Sequence, residues 1–427
     1  MANIKKIMYF SGIYSAVNIL NRVISFMLVP ILTRALSPFD YGLLSTFSAT
    51  HSFTWSFVDM GSSSAVSRRF FEVKNDASDF SRYVFNAFLI KLFSVLLLGG
   101  ILFTFRGFLL KQFNFTVQVI IILICISLFS AVINTLLRLW LAQEKAYKYS
   151  IFEFLHSASS TVLSVFLVVA AGLGWMGRVW GIGAIEFIFA VFCVAFLIRN
   201  RLLNYKIDFG YLSDILKFGM PEFIYIIGRW VITSSDRFFL NIMVDIPTTG
   251  IYSVGYSVAS VLDFIAGGVG LAIMPVLFNK LKDSNHQSKL RIVQKTYVYF
   301  ALLFVLTLLW ILVSPFLLGI IAGKQFEGAV RYIPWVSFAF FFNALFRVFS
   351  LYITYSKKTY YLTYAIIISS LVNLALNYFL IKRNGAIGAA QSTLISYLVN
   401  LLFAWYFAFR AYPMPWFKLL RNKVMIE

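Results

Sequence analysis

Two cysteines, three histidines and 17 acidic residues are all that 427 positions hold of the groups that most often bind metals or carry out catalysis. Cys125 and Cys193 each stand deep in an apolar run. They are too few, and too far inside lipid-like sequence, for a zinc site or a disulfide framework. A packed, inert role is expected of both. Charge of either sign makes up only 13% of the chain. That cannot coat a soluble protein of this size, so the solvent must be lipid. There is no GxxxxGK(S/T) phosphate loop, which excludes a P-loop ATPase motor. HExxH, CxxC and the nucleophile elbow are also missing, and the carboxylates inside apolar runs lack a hydrolytic partner set. The chain is therefore expected not to be an enzyme and to hold no metal or cofactor, with proton or sodium coupling left open. A cleavable leader is not expected either. Lys5 and Lys6 precede an apolar stretch, but Asn18, Asn21 and Arg22 interrupt it and no A-x-A-like site follows.

What is present is apolar surface: 60% hydrophobic residues, 19% aromatics and 47 phenylalanines, with a mean hydropathy of +0.82. About twelve segments reach the roughly 20 residues that a membrane-crossing helix needs. They are expected at 9–33, 43–66, 83–105, 117–141, 150–172, 179–199, 218–243, 250–276, 295–320, 331–356, 361–381 and 386–410. The net charge of +20 does not point to nucleic acid, because no basic helix or RNP-like sequence carries it. Lys and Arg gather instead in alternate short loops. Lys5, Lys6, Arg68, Arg69, Lys74, Arg82, Lys145, Lys148, Arg199, Arg201, Lys206, Lys217, Lys280, Lys289, Lys357, Lys418 and Arg421 all fall on one side. The other side holds a handful, including Arg106, Lys111, Arg178, Lys324 and Arg383. The positive-inside rule then places both termini in the cytoplasm.

The apolar segments repeat. An Asn-x-x-x-Arg pair occurs as Asn134/Arg138 in NTLLRLW and again as Asn343/Arg347 in NALFRVF. RALSPFDYGLLSTFSA (34–49) corresponds to VDIPTTGIYSVGYSVA (244–259). Two bundles of six helices, 1–205 and 206–427, are expected. Six spans is an even number, so the halves should be related by a pseudo-two-fold axis along the membrane normal, with a shared site near the midplane.

Polar residues lie on single faces of several spans. The first carries Ser11, Ser15, Asn18, Arg22 and Ser25, and the seventh carries Glu222, Tyr225, Arg229, Thr233 and Asp236. Ser and Thr at such positions also serve as hydrogen-bond glue between helices. A guanidinium near mid-bilayer costs at least about 2.5–3.5 kcal/mol on insertion scales and needs water, a partner or a ligand. Arg22, Asn18, Arg229, Tyr225, Arg347, Asn343, Arg138, Asn134 and Lys91 are thus candidates to line a cationic cavity. Arg138 and Arg347 stand close enough to a membrane face for snorkelling to be the alternative, and the long stem of Lys91 permits the same. Among the carboxylates, Asp59, Glu222, Asp236 and Asp263 are candidates for ion coupling, the alternative being structural pairing with the arginines. Glu153 and Glu186 complete the acidic set, and His51 and His156 are candidates for a proton path. The small-residue patches GIGAIEF (181–187) and GAIGAAQS (385–392) read as packing sites.

NRVISFMLVPILTRALSPFDYGLLSTFSA (21–49) resembles the first-helix signature of the polysaccharide-export flippases. These are the O-antigen and capsule repeat-unit translocases of the multidrug/oligosaccharidyl-lipid/polysaccharide exporter superfamily. SSDRFFLNIMVDIPTTGIYSVGYSVAS (234–260) resembles their seventh-helix signature, and NGAIGAAQSTLISYLV (384–399) their twelfth. The resemblance runs in order over nearly the whole chain. It fits less well to the lipid II flippases of the superfamily, which usually carry fourteen spans. It implies two six-helix bundles in a V-shaped, alternating-access arrangement in the bacterial cytoplasmic (inner) membrane. The implied substrate is an oligosaccharide on undecaprenyl pyrophosphate, with membrane lipids, a polysaccharide polymerase and assembly proteins as partners. Arginine binds phosphate oxygens bidentately, which suits the cationic candidates above. A drug or small-molecule exporter of the same superfamily and a non-transporting membrane scaffold are the competing readings.

Overall fold

The computed structural model describes residues 2–73, 76–282 and 285–416, apart from the side chains of 2–11, 13–16, 18, 271, 272 and 275. Ser11, Ser15 and Asn18 of the first polar face, and Lys74, Lys418 and Arg421 of the basic loops, lie outside the described residues or side chains.

The described residues are helical almost throughout. Helix α1 (Ala2–Ala35) is followed by α2 (Pro38–Asp59). Ser37 sets the start of α2: its hydroxyl accepts the Asp40 N–H at 3.1 Å, and Pro38 occupies the first helical position. Met60 and Gly61 then take left-handed backbone (φ 43° and 72°), which breaks the second span before α3 (Ser62–Glu72). After α4 (Ala77–Thr104) come a short α5 (Arg106–Phe113) and α6 (Val117–Ala142). Helix α7 (Ala146–Val165) widens into a π turn, Phe166–Ala170, and is followed by α8 (Gly174–Arg199). The remainder is α9 (Phe209–Met243), α10 (Ile246–Ala259), α11 (Val261–Lys282), α12 (His286–Ile321), a 3-10 stretch Lys324–Tyr332, α13 (Ile333–Tyr355), α14 (Tyr360–Asn384) and α15 (Ala386–Ala411).

Nine helical stretches among the described residues are long and apolar enough to cross a membrane. The three other expected spans fall on α1, on α2 with α3, and on α9, whose apolar runs are interrupted by polar and charged residues. The architecture is that of an all-α integral membrane protein of twelve helical rods, and its helices turn large apolar side chains outward, such as Phe93 and Phe316.

The described residues divide into two compact units, Met1–Trp230 with Arg237–Ile251, and Val231–Asp236 with Tyr252–Glu427. This is a different partition from bundles at 1–205 and 206–427, because α9 contributes to both units. In unit one, α6 packs against α2, α3, α4 and α8, and α7 packs against α1 and α8. Its core includes Val84, Ala87, Leu136, Leu139, Cys193 and Leu197. Cys193 is thus a packing residue as expected, whereas Cys125 is exposed on α6, whose outer face is turned away from that core. In unit two, α13 and α14 both pack on α15. Close approach there depends on glycine: a Cβ on Gly388 would lie 2.1 Å from the Leu380 carbonyl oxygen. A Cβ on Gly181 would lie 2.5 Å from the Ser164 hydroxyl. Both small-residue patches therefore serve packing.

Candidate functional site

On α13 the four-residue spacing puts Asn343 and Arg347 on one face, and both reach the same carboxylate. Asn343 Nδ2 donates to Asp263 Oδ1 at 2.8 Å, and Arg347 Nη2 donates to that oxygen. Arg347 Nη1 also donates to the Asp263 backbone carbonyl at 3.3 Å. Asp263 stands in the first turn of α11, where the helix dipole favours a negative charge. The guanidinium thus has the partner that its position in an apolar helix demands, and its side chain keeps 28% of its exposure.

The other copy is arranged differently. Asn134 and Arg138 are half-buried on α6. Arg138 Nη2 stands 3.9 Å from Glu222 Oε1, with 43% and 32% of the two side chains exposed. That separation is beyond a hydrogen bond. Glu222 Oε1 instead accepts from the Ser64 hydroxyl at 2.9 Å. Helix α3 thus holds the carboxylate and leaves much of the Arg138 fork open.

Lys91 is fully buried. Its ammonium donates to Asp59 Oδ1 at 2.7 Å and to Ser63 Oγ at 3.1 Å, and Ser62 Oγ completes the cage. Asp59 is also bonded by Ser63 Oγ, which in turn contacts Thr135 Oγ1 at 3.1 Å. The break at Met60–Gly61 brings these groups together, because Asp59 ends α2 while Ser62 and Ser63 begin α3. Lys91 and Asp59, candidates for different roles, satisfy each other. Asp236 is buried and accepts the Tyr252 hydroxyl. Tyr225 is half-buried on α9, and Arg22 and Arg229 are exposed along α1 and α9.

Two polar assemblies in unit one are not apparent from sequence. At the side bearing the basic loops, Arg69 Nη2 binds Asp79 Oδ2 at 2.6 Å, and Asp79 also accepts the Tyr211 hydroxyl. Arg68 pairs with Asp214, which accepts the Tyr83 hydroxyl at 2.6 Å. Partial burial works against the Arg68 charge, yet Tyr83 and Asp214 hold it above its ordinary range. Arg69 follows the same pattern, with burial opposed by Asp79. The chain leading into α9 is pinned to the same place: Asn86 Nδ2 donates to the Lys206 carbonyl at 3.0 Å and Asn86 Oδ1 accepts the Asp208 N–H at 2.9 Å. The second assembly is His156 on α7, whose Nε2 is 3.5 Å from Glu186 Oε1 on α8.

Unit two also contains a buried amide network. Asn373 Nδ2 donates to Ser396 Oγ at 3.1 Å, and Asn377 Nδ2 donates to Asn373 Oδ1 at 3.1 Å and to Ser235 Oγ at 3.2 Å. It joins α9, α14 and α15 without a carboxylate.

Residues 11–281 match the family model described as polysaccharide biosynthesis protein. The chain belongs to that family. A second model, MatE, matches residues 224–379, which reach from α9 into α14. This member of the polysaccharide biosynthesis family is 23% identical over 336 residues to protein 1 of the Lsg locus of Haemophilus influenzae, a match covering 77% of this chain and 79% of that protein. An inward-facing multidrug resistance MATE family transporter of the MOP superfamily superposes with a TM-score of 0.73 at 12% identity, over 94% of this chain and 96% of that one. The lipid II flippase MurJ in an inward closed conformation also gives 0.73, at 13% identity, over 92% of this chain and 86% of that one. The polysaccharide biosynthesis protein thus shares the fold of MOP-superfamily transporters.

Proposed function

We propose that this polysaccharide biosynthesis protein is a flippase. It moves an oligosaccharide repeat unit, carried on undecaprenyl pyrophosphate, across the bacterial cytoplasmic membrane by alternating access for surface polysaccharide assembly. The observation that carries the reading is the repeated intramembrane Asn-x-x-x-Arg pair in a member of this family. Each guanidinium is matched to a carboxylate that a pyrophosphate can outcompete. A pyrophosphate presents more oxygens, in a geometry that the arginine fork binds bidentately. At Arg138 the resident carboxylate is already 3.9 Å away. At Arg347 the carboxylate has a second donor, Asn343, to fall back on when the guanidinium turns to a ligand.

In this reading Arg22, Arg229 and Tyr225 add further contacts to phosphate and sugar. The basic loops and both termini face the cytoplasm, and polymerase and assembly proteins receive the product on the outer side. Arg138→Ala and Arg347→Ala are each expected to abolish or strongly reduce polymer export at normal protein levels, with the lipid-linked repeat unit accumulating on the inner leaflet. Normal export in both variants overturns the role of the arginines. Failure of the repeat unit to accumulate when the gene is deleted overturns the flippase itself. The MatE match favours a second reading, a small-molecule exporter. Resistance to cationic dyes that is lost with the gene, in cells whose polymer export is intact, would support it.

A further inference from the structure

We propose that Arg178 anchors a binding site for a phosphate-type oxyanion at the outer end of unit one, where α8 lies against α7. Naming the pyrophosphate of a lipid-linked sugar as one source of that oxyanion rests on the flippase reading, whereas the site itself does not. Lys91, Arg347 and Arg138 each stand against a carboxylate, Asp59, Asp263 and Glu222 in turn. Arg178 does not. Its Nη1 donates to the Ser160 carbonyl at 3.2 Å and to Ser164 Oγ at 2.7 Å, both on α7 and both neutral. Nε and Nη2 have no partner among the described residues, yet they remain accessible. The carboxylates of these two helices, Glu153 and Glu186, stand about two turns further along them. Helix α1, which packs against α7, carries no acidic residue.

A half-buried guanidinium within a span, bonded only to neutral oxygens, carries an unbalanced charge, and that is costly at low dielectric. A bound anion removes the cost. The geometry suits phosphate in particular. Nη1 is fixed against α7, so the planar fork is held in one orientation. Its open edge, Nε with Nη2, is a pair of donors that two oxygens of one phosphate can meet together. Glycine sets this closeness: a Cβ on Gly177 would lie 2.8 Å from the Leu167 carbonyl carbon, where α7 widens into its π turn. Leu173 gives α8 no side-chain cap. Helical side chains lean toward the N-terminus, so the positive end of the α8 dipole adds to the charge of Arg178. Arg178 is the fifth residue of α8, at the end away from the basic loops. In the orientation proposed above, the oxyanion is therefore one on the outer side. It comes either from the carried lipid, as pyrophosphate, or from a phospholipid headgroup of the outer leaflet.

The test is hydrogen exchange, read by mass spectrometry over the peptides covering 160–182, on the purified full-length protein in a maltoside detergent that carries no phosphate. Sodium pyrophosphate is the first probe. It is expected to slow exchange there in the wild type, and Arg178→Gln should need at least about tenfold more for the same effect, the loss expected when a charged hydrogen-bond donor is removed. Undecaprenyl pyrophosphate and phosphatidylglycerol, added separately, distinguish the two sources, because the one that protects at the lower concentration is the occupant. Protection by none of the three probes overturns the site. So does the same concentration dependence in the wild type and in Arg178→Gln. If Arg178→Gln does not fold, Arg178→Lys decides: it keeps the charge but not the fork, and an unchanged midpoint overturns the site. No transport is measured, so the outcome is independent of whether the chain moves lipid-linked sugar.

Discussion

Lys91 has no route to water, so its charge depends entirely on Asp59 and two serine hydroxyls. Removing one partner from a buried ion pair typically costs about 3–5 kcal/mol, because the other charge is left stranded, while removing both costs much less. Lys91→Met and Asp59→Asn are each expected to lower the thermal unfolding midpoint of the detergent-solubilised protein. The double variant should recover most of the loss, and strictly additive losses would mean that the pair is not the source of the cost. Both residues stand out in the sequence as charges inside apolar runs. Their pairing does not, since it depends on a left-handed break at Met60 and Gly61 that residue spacing alone does not reveal. The same limit separates Arg347, prominent in NALFRVF, from Asp263 at the start of a helix far along the chain. It also hides His156 and Glu186, which meet only because Gly177 and Gly181 let α8 lie close against the end of α7.

At the scale of elements, the second span and α9 meet with no room for side chains at one point. A Cβ on Gly61 would lie 2.6 Å from the Gly219 Cα, and one on Gly219 would lie 2.2 Å from the Met60 carbonyl oxygen. Gly61 also has φ 72°, which adds backbone strain of about 1–3 kcal/mol for any other residue. Gly61→Ala and Gly219→Ala are therefore expected to destabilise the protein. Gly268→Ala, with nothing within 4 Å on a helix, should be neutral or stabilising by up to about 1 kcal/mol. Thermal unfolding of the three variants side by side checks the contrast, and equal midpoints would refute it. The order of helices was legible because apolar length alone marks a span. The clamp of Arg68 and Arg69 on Asp214 and Asp79 was not, because basic residues in a short loop already have a sufficient explanation in topology. Their partners, lying at the far end of the following loop and at the start of α9, add nothing periodic to the pattern.

At the scale of the whole molecule, the repeat supplies two arginines and the structure gives them unequal settings. Arg138 is loosely matched to Glu222, whereas Arg347 is bound to both the side chain and the backbone of Asp263. If the proposed flippase reading holds, loss of Arg347 has two consequences, the loss of a phosphate ligand and the stranding of a carboxylate. The double variant Arg347→Ala/Asp263→Asn separates them, because an amide in place of the Asp263 carboxylate still bonds Asn343 without carrying charge. Arg347→Ala alone is expected to lower both thermal stability and polymer export. The double variant should regain stability while export stays as low as in the single variant, because the anion-binding fork is still missing. Recovery of export together with stability would mean that Arg347 only neutralises Asp263. The burden of holding pyrophosphate would then shift to Arg138, where Glu222→Gln, freeing the guanidinium, should leave export intact or raise it.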